Sequence, residues 1–184
     1  FAEQTFFNKV EELVVKPTIL WLQKDGVVYR GFIFFGLMND NGNTSVVKYN
    51  VRMGDPETKV VFPWLKSDLF DLFEGVANQN LGDKEFSVTD KIATTVMLVS
   101  GGYPESYEKG AVISGLDNRK DSIIFHAGTK IKEEAIVTNG GRVLAVTSLA
   151  DSIQEALGQS YKTIDSIHFE KMNYRKDIGF DLVG

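Results

Sequence analysis

The stretch Lys48-Tyr49-Asn50-Val51-Arg52-Met53-Gly54-Asp55-Pro56-Glu57-Thr58 decides the reading of this chain. Before it, Thr44-Ser45-Val46-Val47 reads as a strand. After it, Val60, Val61, Phe62, Trp64 and Leu65, then Leu69, Phe70, Leu72 and Phe73, read as the buried face of a helix. Asn50 and Arg52 are two apart, so on a strand both side chains leave one face. A Gly-Asp-Pro turn between strand and helix gathers backbone N–H groups and an anionic cap at one point. An amide oxygen and a planar guanidinium on one face suit a metal-bound phosphate. Taken residue by residue, blander roles also fit. Asn50 can satisfy a turn, Arg52 can form a surface ion pair, and Asp55 with Glu57 can complement a helix dipole.

Composition sets the frame around this stretch. The chain has 184 residues, 43% of them hydrophobic, enough for a real core and one or two domains. Its net charge of −5 argues against non-specific nucleic-acid binding, and no basic run contradicts that. There is no cysteine, which excludes disulfides and thiolate metal sites. No apolar run has membrane-spanning length and no signal-peptide pattern opens the chain, so a cytoplasmic protein with no membrane partner is expected. His126 and His168 lack ligand-spaced partners and read as structural. No Gly-x-Ser-x-Gly elbow, Walker A loop or dinucleotide fingerprint occurs.

Two modules are expected, residues 1–84 and 85–184. The first begins with a helix over about Thr5–Lys24, with a break or restart at Pro17. It continues with a strand over Val27–Met38, a turn at Asn39–Asn43, the strand carrying Lys48 and Asn50, and one helix from Pro56 to about Asn78. The second has β-like runs at Lys91–Ser100, Ala111–Ile113, Ser122–His126, Ala135–Thr138 and Arg142–Thr147. An amphipathic helix over Ser148–Ile167 follows, with Ile153, Ala156, Leu157, Tyr161, Ile164 and Ile167 on one side. The fold class is α+β, with a mostly antiparallel second module. Phe1 opens the chain without a start methionine, and Phe1–Val15 reads as the middle of a longer parent.

The run Asn50-x-Arg52-x-Gly54-Asp55-Pro56-Glu57 resembles the signature of the phosphoribosylamine–glycine ligases, ATP-grasp enzymes of purine biosynthesis. Lys16-Pro17-Thr18, Tyr29-Arg30-Gly31 and Gly36-Leu37-Met38 resemble the family's preceding segments. Ser100-Gly101-Gly102-Tyr103-Pro104 through Gly110 resembles its C-terminal-domain signature. His126-Ala127-Gly128-Thr129, Thr138-Asn139-Gly140-Gly141-Arg142 and Tyr174–Gly179 continue the likeness in family order. The chain departs at Lys48, where the family pattern has Glu, and at Lys59, where Glu or Gln is usual.

The resemblance implies the C-terminal part of an ATP-grasp domain over 1–84, then a small, mostly antiparallel α+β domain over 85–184. It implies an ATP-dependent ligase that joins glycine to phosphoribosylamine through a glycyl phosphate. ATP and magnesium, or manganese, are the implied cofactors. Arg52, Asp55 and Glu57 are the implied catalytic residues. Asn50 and Arg52 would hold the nucleotide, with Asn50 a metal ligand. Asp55, Gly101, Gly102, Tyr103 and Lys109 would receive substrate. Lys48 occupies the other expected metal-ligand position, yet an ammonium has three donors and no acceptor. That substitution keeps open an alternative: a non-catalytic, ATP-grasp-derived binding or assembly module.

Overall fold

Residues 3–117 and 121–182 are described by a computed structural model. Phe1 and Ala2 of the expected first module, and Val183 and Gly184 of the second, lie outside them. The described residues divide into two compact units. One takes the chain up to Gly54 together with Leu69–Glu85; the other takes Asp55–Asp68 and everything from Phe86 onward.

The first unit opens with α1 (Gln4–Val10), a π-helical turn (Glu11–Val15) and α2 (Lys16–Lys24), which run on without interruption. Of the two expectations at Pro17 the restart holds and the break does not, since α2 begins at Lys16 without an interruption of the helix. The π turn places Pro17 in the first turn of α2, where its missing N–H costs no α-helical hydrogen bond. The Thr18 hydroxyl donates to the Val14 carbonyl at 2.7 Å. A hairpin follows: β1 (Phe34–Asp40) pairs antiparallel with β2 (Asn43–Asn50), from Asp40↔Asn43 at the turn to Phe34↔Asn50 at the open end. Asn41 and Gly42 at the turn both have positive φ. The strand expected from Val27 starts only at Phe34. Among the described residues no strand pairs with 27–33; the Tyr29 hydroxyl instead donates to the carbonyls of Phe32 (2.7 Å) and Val51 (3.0 Å). The unit closes with α4 (Leu69–Asn78). Phe32 packs edge-on against Phe73 at 5.9 Å, and Arg30 donates to the Ala77 carbonyl at 3.1 Å.

The single helix expected over Pro56–Asn78 is two, α3 (Thr58–Trp64) and α4. Pro63 sits in the last turn of α3, and Leu65 is extended. From there Leu65 bridges Val88, the Lys66 N–H donates to the Ser87 carbonyl, and the Thr89 N–H donates to the Trp64 carbonyl. This β-like pairing takes over the backbone groups that a continuous helix would use. The expected buried face is also thinner than its pattern. Leu72 is buried, but Val61, Trp64 and Phe73 are exposed and Phe70 is 77% exposed.

The second unit holds the core. Its four-stranded antiparallel sheet runs β4-β7-β3-β8, made of β3 (Ile92–Ser100), β4 (Ser122–His126), β7 (Arg142–Ala150) and β8 (Met172–Asn173). β5 (Thr129–Lys132) and β6 (Ala135–Thr138) form a separate hairpin. β7 is flanked by β3 and β4, with α3 and α5 (Ile153–Ile164) both packed on β3 and β7. This leaves Val143 through Ser148 buried without alternation, as a strand covered on both faces should be. Val96, Leu98, Val143, Val146, Ile164 and Phe169 form the centre of the core. The helix expected from Ser148 starts at Ile153. Ser148–Ala150 stays in β7, paired with Ile92–Thr94, and Ser152 caps α5 by accepting from the Glu155 N–H at 3.2 Å. Ala111–Ile113 contributes one bridge, Val112 to Val137, rather than a strand. β5 and β8 were not expected; both are short, and β5 is largely exposed.

Candidate functional site

The deciding stretch is shared between the units. Lys48 to Gly54 belongs to the first, Asp55 to Thr58 to the second. In the first, Lys48 and Asn50 lie on one face of β2, opposite Gly36 and Phe34 of β1. A Cβ on Gly36 would lie 2.8 Å from Lys48 Cγ, so the bare glycine makes room for the lysine stem. The Lys48 ammonium lies over the Phe34 ring, 5.7 Å from its centroid. Phe34 is the cross-strand partner of Asn50, so the charge is carried toward Asn50. The Asn50 amide nitrogen is buried with no hydrogen-bond partner. β2 ends at Asn50, so Arg52 does not share its strand face as the two-residue spacing implies; it lies in the bend beyond, exposed, and donates to the Met53 carbonyl at 2.8 Å.

A divalent cation needs oxygen donors, and magnesium wants six around it. This face offers one amide beside an ammonium. No group of three or more His, Cys, Asp or Glu among the described residues is placed to hold a metal. The residues present therefore do not fit a divalent metal at positions 48 and 50.

In the second unit, Asp55 opens the turn into α3 and is gripped from two sides. Lys59, one helical turn on, forms an ion pair with it. Arg142, at the start of β7, donates to the Asp55 carbonyl at 2.9 Å and to its carboxylate at 3.2 Å. A bulge between Leu98 and Val99 leaves Val143 without a partner on β3 and sets Arg142 opposite Val99. Glu57 is exposed beside the start of α3, with no side-chain cap bond. The grip of Arg142 on Asp55 was not legible beforehand. It joins residues 87 apart in sequence, and an Arg at a strand end carries no signal of its partner.

The loop after β3 carries further residues of the expected set, and here close approach does require glycine. Gly102 has φ +96°, and a Cβ there would lie 2.2 Å from the Ser106 carbonyl oxygen. A Cβ on Gly141 would lie 2.1 Å from the Tyr103 ring, so the ring is seated against bare backbone. Tyr103 also meets Tyr107 edge-on at 6.1 Å, and the Lys109 ammonium lies 6.0 Å from the Tyr107 ring centre. A cleft of about 180 Å³ opens between Gly101, Glu108, Lys109 and Lys171. Lys171 donates to Glu108 at 2.9 Å, which raises the lysine pKa above its ordinary value. The structure thus brings Gly101 and Lys109 to one cleft and seats Tyr103 beside it. His126 contacts the Thr129 hydroxyl at 3.0 Å, and His168 lies in a backbone bridge with Ser114.

The fold and these two features define a class: an α+β chain whose helices and two-stranded hairpin are followed by a mostly antiparallel domain. Residues 1–58 match "Phosphoribosylglycinamide synthetase, ATP-grasp (A) domain", and residues 93–181 match "Phosphoribosylglycinamide synthetase, C domain". The chain belongs to the phosphoribosylglycinamide synthetase family. A phosphoribosylamine–glycine ligase of Chlorobaculum tepidum is 46% identical over 94% of this chain, which spans 41% of that relative's length. The crystal structure of a phosphoribosylamine–glycine ligase from Thermotoga maritima aligns with a TM-score of 0.79 at 32% identity, covering 96% of this chain and 44% of that one. N5-carboxyaminoimidazole ribonucleotide synthetase from Thermotoga maritima shares the fold at a TM-score of 0.58 and 11% identity, over 91% of this chain and 43% of that one. The chain spans about two fifths of the length of the single-function ligases it matches. The ATP-grasp match implies ATP use, typically with a divalent metal.

Proposed function

We propose that this chain is the C-terminal portion of an ATP-dependent ligase that joins glycine to phosphoribosylamine in de novo purine biosynthesis, in the cytoplasm. The observation that carries the reading is the family-ordered likeness over both modules, with relatives named phosphoribosylamine–glycine ligase, one of them 46% identical. On this reading residues 1–84 end the ATP-grasp domain and 85–184 form the C-terminal domain.

The chemistry needs no enzyme nucleophile. A glycine carboxylate oxygen attacks the γ-phosphorus of ATP and ADP leaves, giving glycyl phosphate. The amine of phosphoribosylamine then attacks the glycyl carbonyl, loses a proton, and expels phosphate. Arg52 offers a planar fork of donors to phosphoryl oxygens whose charge shifts during transfer. Asp55 and Glu57 order the substrates, Asp55 fixed in place by Lys59 and Arg142. Gly101, Gly102, Tyr103 and Lys109 border the substrate, the glycines letting the loop close tightly on Lys171 and Ser106. Asn50 and Arg52 face the nucleotide. No step is routed through a metal, because the face at 48 and 50 does not fit one. One observation favours a second reading, a non-catalytic binding module: the ammonium of Lys48 beside Asn50.

The test is phosphate release from ATP by the complete polypeptide carrying these residues. Release that requires both glycine and phosphoribosylamine is expected. Release independent of either, or none from folded protein, overturns the ligase reading.

A further inference from the structure

We propose that the Lys48–Asn50 face of β2 is an anion subsite, which takes phosphate oxygens directly, with the Lys48 ammonium providing the positive charge. Three observations converge on it. The first is the course of Lys48: its stem lies over Gly36 and its ammonium over Phe34, the residue paired with Asn50. The charge is thereby held at the open end of the hairpin instead of swinging free. The second is the Asn50 amide nitrogen, a buried donor with no partner. A buried donor left unpaired is costly and calls for an acceptor. The third is the charge of the surroundings. Between Phe34 and Arg52 the sequence has one carboxylate, Asp40, and it lies at the far, turn end of the hairpin. No ion pair with a carboxylate forms at Lys48 or Arg52 among the described residues.

An ammonium, an amide N–H and a guanidinium at alternate positions 48, 50 and 52 are all donors. β2 spaces positions 48 and 50 by about 7 Å, the scale of neighbouring groups in a polyphosphate chain, and Arg52 follows in the bend beyond the strand. A cation is repelled by this set, while an anion with several oxygens satisfies it. The identity of the natural ligand, a nucleotide triphosphate, rests on the ligase reading; the anion site itself does not.

The test uses inorganic tripolyphosphate as probe and the 184-residue chain as protein, with heats of binding measured with and without magnesium. The ¹H–¹⁵N spectrum of each sample reports whether the β1–β2 hairpin is intact. Tripolyphosphate should bind without a divalent ion, and saturating magnesium should weaken binding because the chelated anion carries less charge. Lys48→Met should lower the metal-free affinity about tenfold, the loss of one charge-assisted contact. Lys48→Glu should abolish metal-free binding and make magnesium a requirement. Manganese alone should stay free in solution by electron paramagnetic resonance. The proposal is overturned if the natural chain needs magnesium to bind tripolyphosphate, binds none, captures manganese alone, or is unaffected by Lys48→Met. Tripolyphosphate binding together with an inactive complete polypeptide would sink the ligase reading and leave the anion site standing.

Discussion

Replacing Arg142 by Met isolates the grip on Asp55. The substitution keeps most of the aliphatic stem and removes the guanidinium. Two hydrogen bonds go, one to the Asp55 carbonyl at 2.9 Å and one to its carboxylate at 3.2 Å. Hydrogen bonds involving a charged group contribute about 1.5–3 kcal/mol when shielded from water. Here the side chains are 38% and 42% exposed, and Lys59 continues to neutralise Asp55. Solvent screening therefore brings the loss to about 1 kcal/mol. With a urea slope of about 2 kcal/mol per molar, the midpoint should fall by about 0.5 M. Trp64 reports the right unit: its indole donates to the Lys91 carbonyl at 3.0 Å within the same packed body. A Trp21→Phe background leaves Trp64 as the single tryptophan. In the complete polypeptide, turnover should fall by more than this stability loss explains, because Asp55 loses its orientation. An unchanged urea midpoint would refute the energetic argument. A lower midpoint with normal turnover would make the contact purely structural.

Gly102→Ala should disorder the loop after β3, since φ +96° and a 2.2 Å approach to the Ser106 carbonyl leave no room for a methyl. Loss of the Tyr103 and Tyr107 ring-current shifts would show it, and unchanged shifts would contradict it. Lys84, hydrogen-bonded to Asp71 and near Glu74, has its pKa raised above the ordinary lysine value. Its contribution is complete below that ordinary value and lost as pH rises through the raised one, so Lys84→Met should flatten the alkaline fall in stability of the first unit; an equal fall in both forms would count against it. Arg52→Ala in the complete polypeptide should lower turnover with little change in melting temperature, because Arg52 is exposed and bonds only its neighbour's carbonyl among the contacts described. A collapse in stability with normal turnover per folded molecule would make Arg52 structural.

Periodicity reads well where burial alternates or repeats cleanly. β2 places Lys48 and Asn50 on one face as their spacing implies, and α5 buries Ala156, Leu157 and Ile164. It misleads where tertiary pairing competes with local preference. Leu65 and Lys66 sit in an apolar helical pattern, yet they pair with Val88 and Ser87 and split the helix. Pro17 looks like a breaker, but a π turn positions it harmlessly. Exposure was the harder quantity. The first unit buries only Val14 and Leu72 among its described large hydrophobics, while Leu20, Trp21 and Val28 are 63–86% exposed. An apolar stripe predicts a face that can be covered and says nothing of what covers it. At the site, the sequence motifs named the residues, but Gly36 under Lys48, Gly141 under Tyr103 and Arg142 on Asp55 are consequences of register and bulge that only the folded chain displays.

A ligase that activates glycine as its acyl phosphate must pass a carboxylate oxygen from glycine to the released phosphate. Glycine labelled with ¹⁸O in its carboxylate is turned over by the complete polypeptide with ATP and phosphoribosylamine, and the released phosphate is examined by ³¹P NMR for the isotope shift. If the carboxylate attacks the γ-phosphorus, each phosphate released carries one ¹⁸O from glycine. Phosphate that emerges unlabelled, while amide product accumulates, would contradict the claim.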